Sequence, residues 1–244
     1  AVEMKPTPVL KGAASARFKE IIRANSTKSC TLVATPESDA FVRRILRISS
    51  VENDFKFEGW VLQKVNPSLC LASFDCGDEP MNRYFRKYSS KYRRALLAQS
   101  YSFHPLESDP AIPIFLVDFC NDNIRREVIA DFKSVIHHDK RRLKTYPAVK
   151  IARLGLAKSY RGNHYGDILL NAVKMFFLTN NRTGCRFITV DAYRNMERFY
   201  SRNGFMRTLD GENGNQDNDT ISMFFDLLPL RNHLEAKNSE VASA

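Results

Sequence analysis

Residues 149–170, VKIARLGLAKSYRGNHYGDILL, decide how this chain is read. Val149–Ala157 is a mostly apolar run of strand length and predicts a buried strand. Asn163–Leu178 carries apolar residues at 165, 168, 169, 172, 173, 176 and 177, the spacing of an amphipathic helix. Between them stands a basic turn, Arg161-Gly162-Asn163-His164-Tyr165-Gly166. A turn at that place opens the helix, where unpaired N–H groups and a partial positive charge attract phosphate. Glycine lets the backbone approach a diphosphate with no Cβ in the way. Arg161 adds a fork of charged donors. The spacing is neither a Walker A loop nor a dinucleotide fingerprint.

Outward from this stretch the chain alternates in the same manner. Strands are predicted at Trp60–Val65, Ala95–Phe103, Ile112–Phe119, Arg186–Ala192 and Thr220–Leu227. Helices are predicted at Asn82–Tyr92, Ile124–His138 and Asn195–Asn203. Strands and helices mixed without a repeat indicate an α/β (α+β) architecture, a mixed central sheet flanked by helices. Residues 57–230 form that domain. Residues 1–56 read as a small helical N-terminal appendage, and 231–244 as a polar tail expected to fray.

Composition narrows the class. The chain has 244 residues, 43% of them hydrophobic and 17 of them Phe, enough for a folded core and too apolar for a disordered chain. No run approaches the roughly 18 apolar residues of a membrane span, and no secretory signal opens the sequence. Those features argue against a membrane protein or a secreted precursor. The five cysteines, at 30, 70, 76, 120 and 185, have no metal-ligand spacing. Free thiols fit a reducing cytoplasm.

The net charge of +10 suits a polyanionic partner. It is clustered. Residues 82–94, NRYFRKYSSKYRR, hold six basic side chains, three tyrosines and no acid. Arg83, Arg86, Lys87, Lys91 and Arg94 are expected on one broad helical face. Lys140, Arg141, Arg142 and Lys144 form a second cluster, Arg125 and Arg126 a third. Basic residues interleaved with aromatics suit phosphate contact and base stacking. A solvated helix face is the plainer alternative.

Four phrases in order resemble the GNAT acetyltransferases over residues 57–228. Tyr160–Gly166 is similar to the family's pyrophosphate loop, Gln/Arg-x-x-Gly-x-Gly/Ala after an aromatic, and departs from it at His164. Arg153-Leu154-Gly155-Leu156 stands where the family's strand pairs with the pantetheine arm. Asp191-Ala192-Tyr193, Asn195 and Phe199–Phe205 resemble the closing strand and helix. Phe74-Asp75-Cys76-Gly77-Asp78 resembles the opening of the branch that acts as toxins in bacterial toxin–antitoxin systems. Without the family, Asp75 and Asp78 are helix caps, Cys76 and Cys185 packed thiols, and Tyr200 a core residue.

The resemblance implies a GNAT fold and acetyl-CoA as cofactor. It places that cofactor on Leu154, Gly155, Leu156, Arg161, Gly162, Asn163, His164, Tyr165, Gly166 and Asn195, with Tyr200 as general acid toward the sulfur. His164 in place of the middle glycine is expected to demand an unusual backbone. In the toxin branch the acceptor is the α-amine of an aminoacyl-tRNA, whose acetylation stops translation. Contacts to tRNA are then expected from Arg83, Arg86, Lys87, Lys91, Arg94, Arg141 and Arg142, with an antitoxin and a second copy of the chain as further partners. Residues 1–56 are read as an accessory segment or an antitoxin-like one.

No Glu lies in Arg153–Leu156 to serve as a base. That favours an α-amine, with a pKa near ~7.7–8, over a lysine amine near ~10.4. The alternatives are a GNAT enzyme for a protein or small-molecule amine, and a degenerate GNAT domain that only binds nucleic acid, for which His164 speaks.

Overall fold

The computed structural model describes residues 54–66, 69, 71–108, 113–129, 143–181, 183–210 and 219–242. They belong to the compact unit Asn53–Ala244, one of two units in the chain, the other being Ala1–Glu52. The helices expected before residue 54, and Arg141 and Arg142, lie outside the described residues.

The strands are β1 Phe55–Phe57, β2 Trp60–Lys64, β3 Gln99–Pro105, β4 Phe115–Arg125, β5 Thr145–Leu156, β6 Phe187–Tyr193, β7 Met206–Arg207 and β8 Thr220–Asp226. They form one sheet in the order β1-β2-β3-β4-β5-β6-β8-β7. Every neighbouring pair is antiparallel except β5 and β6. A parallel pair requires a crossover, and helix α3, Tyr165–Leu178, supplies it. The remaining helices are α1 Glu79–Arg83, α2 Ser89–Arg94, α4 Glu197–Arg202 and α5 Leu227–Ala242.

The two faces of the sheet differ because strand side chains alternate. Under α3, Phe119, Val149, Ile151 and Val190 meet Leu169, Leu170, Val173 and Phe177 in the main core. The other face carries two separate clusters. One, around Phe74, Phe85 and Leu116, lies under α1; the other gathers Ile124, Tyr146, Phe187 and Phe224.

One irregularity shapes the centre. Asp118 pairs with Arg153 but Phe119 pairs with Ile151, so Ala152 is an extra residue in β5. Such a bulge bends and twists the strand that carries it. The parallel ladder between β5 and β6 runs from Ala148↔Phe187 to Ile151↔Val190 and stops at that bulge. The strands then part, with β6 held by β8 as far as Tyr193↔Thr220.

Three local expectations need correction. The segment read as a single helix at Asn82–Tyr92 is α1, a π-helical stretch Tyr84–Tyr88, and α2. Ile124 and Arg125 end β4 rather than start a helix, and Arg126–Val128 is a 3-10 turn. The polar tail is the helix α5. Asp226 Oδ1 accepts from Leu228 N (3.0 Å) at its start, Leu227 is buried in the main core, and Arg231 pairs with Glu235 (2.7 Å) one turn on.

Candidate active site

Where β5 and β6 separate they open a cleft of about 1100 Å³. Its walls bring together Leu154, Gly155 and Leu156 of β5, the turn Arg161–Gly166, Asn195 and Tyr200. These residues span almost fifty positions of sequence and come from one strand, one turn and the helical segments that follow β6. Among the described residues no strand pairs with β5 beyond Ile151 on the β6 side, so the backbone edge of Leu154–Leu156 faces the cleft.

The turn keeps its shape despite His164, which takes left-handed backbone angles, φ 57° and ψ 12°. A left-handed residue of this kind costs roughly 1–2 kcal/mol outside glycine. His164 Nδ1 lies 3.1 Å from Asp167 Oδ2, and Asp167 also accepts from Arg202 (3.1 Å) and from Asn203 Nδ2 (2.7 Å). Burial opposes ionisation of Asp167, but these partners outweigh it and hold its pKa below the usual carboxylate range. The start of α3 is thereby tied to the end of α4. Gly166 is required by the same contact, because a Cβ there would sit 2.9 Å from the Phe199 ring.

The FDCG phrase forms the opposite lip. Asp75 Oδ1 accepts from Gly77 N (2.8 Å) and Asn82 Nδ2 (2.9 Å), and Asp75 pairs with Lys158 at 2.6 Å. Asn82 Oδ1 in turn accepts from Cys76 N at 2.8 Å. Asp78 Oδ1 caps α1 through Met81 N at 2.9 Å. Of the two carboxylates read as caps, Asp78 is one and Asp75 is a loop brace. Arg161 lines the cleft, but one guanidinium nitrogen donates to the Cys76 carbonyl, and the group packs against Gly77. It therefore joins the two lips besides bringing charge to the cleft. Cys76 and Cys185 are buried free thiols.

Tyr200 lines the cleft with its ring buried against Phe199 and Phe205. Burial raises its phenol above the ordinary tyrosine value, so it carries its proton throughout the physiological range. Tyr165 belongs less to the ligand than to the core, since its ring packs 5.0 Å from Trp60.

The basic segment is arranged differently from the expectation. A π-helical stretch inserts an extra residue per turn and slips the helical register. Ser89 N accordingly reaches Tyr84 O, and Tyr84, Phe85 and Ser89 turn inward. Arg86 turns partly inward as well, with its Nε donating to Phe74 O at 2.8 Å and its guanidinium 3.9 Å from Glu79. Arg83, Lys87, Lys91 and Arg94 stay exposed, as do Tyr88 and Tyr92. Tyr84 is lost to stacking: its hydroxyl donates to buried Asp118 at 2.7 Å. Among the described residues no group of His, Cys, Asp and Glu could hold a metal ion, and no helix is long and apolar enough to cross a membrane.

A mixed sheet split at its parallel pair, with a turn opening the crossover helix at the split, is the GNAT fold. No protein-family model and no curated protein matches the chain. Solved structures do. A mutant of KacT is 16% identical with a TM-score of 0.59, over 72% of this chain and 99% of that one. AtaT complexed with acetyl-methionyl-tRNAfMet is 18% identical with a TM-score of 0.58, over 72% and 99%. AtaTR bound with AcCoA is 17% identical with a TM-score of 0.54, over 73% and 99%. At these identities the shared property is the fold.

Proposed function

We propose that the protein is an acetyl-CoA-dependent N-acetyltransferase that modifies the α-amine of an aminoacyl-tRNA and so acts as a toxin. The observation that carries this reading is one cleft that holds both a phosphate-suited turn and, on its wall, a buried, protonated Tyr200. Pro80 and Met81 of α1 also line it, so the basic segment starts at the rim. The likeness to AtaT with acetyl-methionyl-tRNAfMet and to AtaTR with AcCoA supports the same substrate pair. An AtaT mutant toxin bound to the C-terminus of the antitoxin AtaR supports a protein inhibitor as a further partner.

The residues present fit the cofactor. The N–H groups of the turn at the start of α3 suit its diphosphate. Gly162, at φ +89°, leaves open space where a Cβ would stand. The unpaired edge of Leu154–Leu156 suits its amide arm and the oxygen on which negative charge develops. Bound acetyl-CoA supplies an acetyl group activated as a thioester. Tyr200 holds a proton at its hydroxyl for the departing sulfur. The basic segment binds the RNA backbone through Arg83, Lys87, Lys91 and Arg94.

Mass spectrometry of total charged tRNA after incubation with the protein and labelled acetyl-CoA tests the reading. Label on the α-amine of one or a few aminoacyl-tRNAs is expected. Label on free amines alone, or on none, overturns it.

A further inference from the structure

The cleft extends past the end of the parallel ladder to an ion pair that the sequence does not announce. Lys150 of β5 and Asp191 of β6 both line it. Lys150 pairs in register with Thr189, two residues before Asp191. The Lys150 Nζ stands 2.5 Å from Asp191 Oδ2, and Ser222 Oγ donates to Asp191 Oδ1 at 2.8 Å. The pair closes the split between β5 and β6 on the face away from α3, two residues from the bulge at Ala152.

Among the described residues that line the cleft, only Asp78 and Asp191 are carboxylates. Asp78 is occupied in capping α1. Asp191 already holds a primary ammonium, that of Lys150. The two side chains are 43% and 31% exposed, so an incoming ammonium reaches the carboxylate without stripping a buried pair. Cys120 and Asp122 of β4 face Lys150, and Asp122 accepts from Thr189 Oγ1 at 2.5 Å.

We propose that Asp191 is the acceptor-amine site: it binds the α-ammonium of the acceptor in exchange for Lys150, and accepts a hydrogen bond from the nitrogen after that ammonium has lost its proton to water. The inference rests on the acetyltransferase reading and names the group that selects a free amine. An acceptor already acylated on nitrogen carries no charge and is refused.

The test is a titration of the full-length protein with phenylalanine methyl ester, followed by NMR at a pH where the amine is charged, with methyl 3-phenylpropionate as the amine-free control. The ester is expected to bind and the control not to. Asp191→Asn should weaken the ester at least tenfold, and Asp191→Glu should recover most of that loss. Lys150→Met should tighten the ester severalfold, because it vacates the carboxylate. Equal binding to wild type and Asp191→Asn overturns the site, as does wild type that binds no ester. So does a Lys150→Met protein as impaired as Asp191→Asn, which would make the pair a strut between strands. Asp191-dependent ester binding without any acetylation of charged tRNA keeps the site and removes the substrate reading. Acetylation of charged tRNA by Asp191→Asn at the wild-type rate does the reverse.

Discussion

The two faces of the central sheet have opposite characters. Between α3 and the strands the core is aromatic and aliphatic, with Leu169 of α3 and Ile188 of β6 fully buried and Phe176 and Phe177 of α3 packed edge to face at 5.0 Å. The opposite face is interrupted. Between its two apolar clusters run Asp118, Cys120, Asp122, Lys150, Thr189 and Asp191, the alternate positions of β4, β5 and β6. A dry face fixes the turn and the start of α3, which under the proposed function is the diphosphate cradle. A polar face leaves room for a charged acceptor and for water, at a cost in stability. The cleft joins the two because the bulge at Ala152 ends the ladder between them.

The sharpest way to break this comparison is truncation. Leu169→Ala, on the buried face of α3, should cost about 2–5 kcal/mol in urea unfolding through lost burial and the cavity left behind. Cys120→Ala, on the polar face and only partly buried, should cost less than about 1 kcal/mol. Similar losses would mean that both faces carry the fold alike.

Chemistry at the join comes next. Tyr200→Phe removes only the hydroxyl, and with it the proton to be donated, so acetyl-CoA affinity and melting temperature should hold while turnover drops by about 10²-fold or more. Near-normal turnover would reduce Tyr200 to packing.

The basic segment gives a finer contrast. Replacing exposed Arg83 and Lys87 together should flatten the log–log salt dependence of tRNA binding by about 1–2 units. Arg86→Ala should leave that slope nearly unchanged and lower the melting temperature instead, since its Nε donates to Phe74 O. A slope that responds equally to Arg86 would place its guanidinium on the RNA.

The smallest effect is one of pH. Asp118 is fully buried, and burial raises its carboxyl pKa despite Ser100, Tyr84 and the nearby arginines Arg93 and Arg153. The folded state then keeps this proton at pH values where the unfolded chain, near ~3.9, has lost it. Asp118 therefore contributes stability that is present below the unfolded value and lost as pH rises through the folded one. Asp118→Asn should remove that part of the slope when urea unfolding is followed from acid to neutral pH. Parallel curves for the two proteins would show that Asp118 titrates normally.

The comparison also explains what was legible. Residues 149–178 were readable because strand, turn and helix are each marked locally, by an apolar run, glycines and a periodic stripe. The strain expected at His164 is there, as a left-handed residue. The π-helical stretch was not readable, since residues 82–94 fit an ordinary helix by composition and only packing of Tyr84, Phe85 and Ser89 shifts the register. Helix α5 was missed because its first turn is anchored by Asp226 and Leu227, not by a stripe of its own. In the sequence Asp191 stands only as part of a closing phrase. Its partners Lys150 and Ser222 lie 41 and 31 residues away, and no local pattern joins them.

The sequence by itself determined the mixed architecture, the position of the phosphate-suited turn and the concentration of positive charge in residues 82–94, because each depends on near neighbours. Tertiary structure alone decided which of those charges face solvent and that Arg161 braces the Cys76 lip. It alone also set a carboxylate and an ammonium across the mouth of the split sheet. Those outcomes depend on register between strands far apart in the chain, and register is set by how a whole face packs rather than by any one segment.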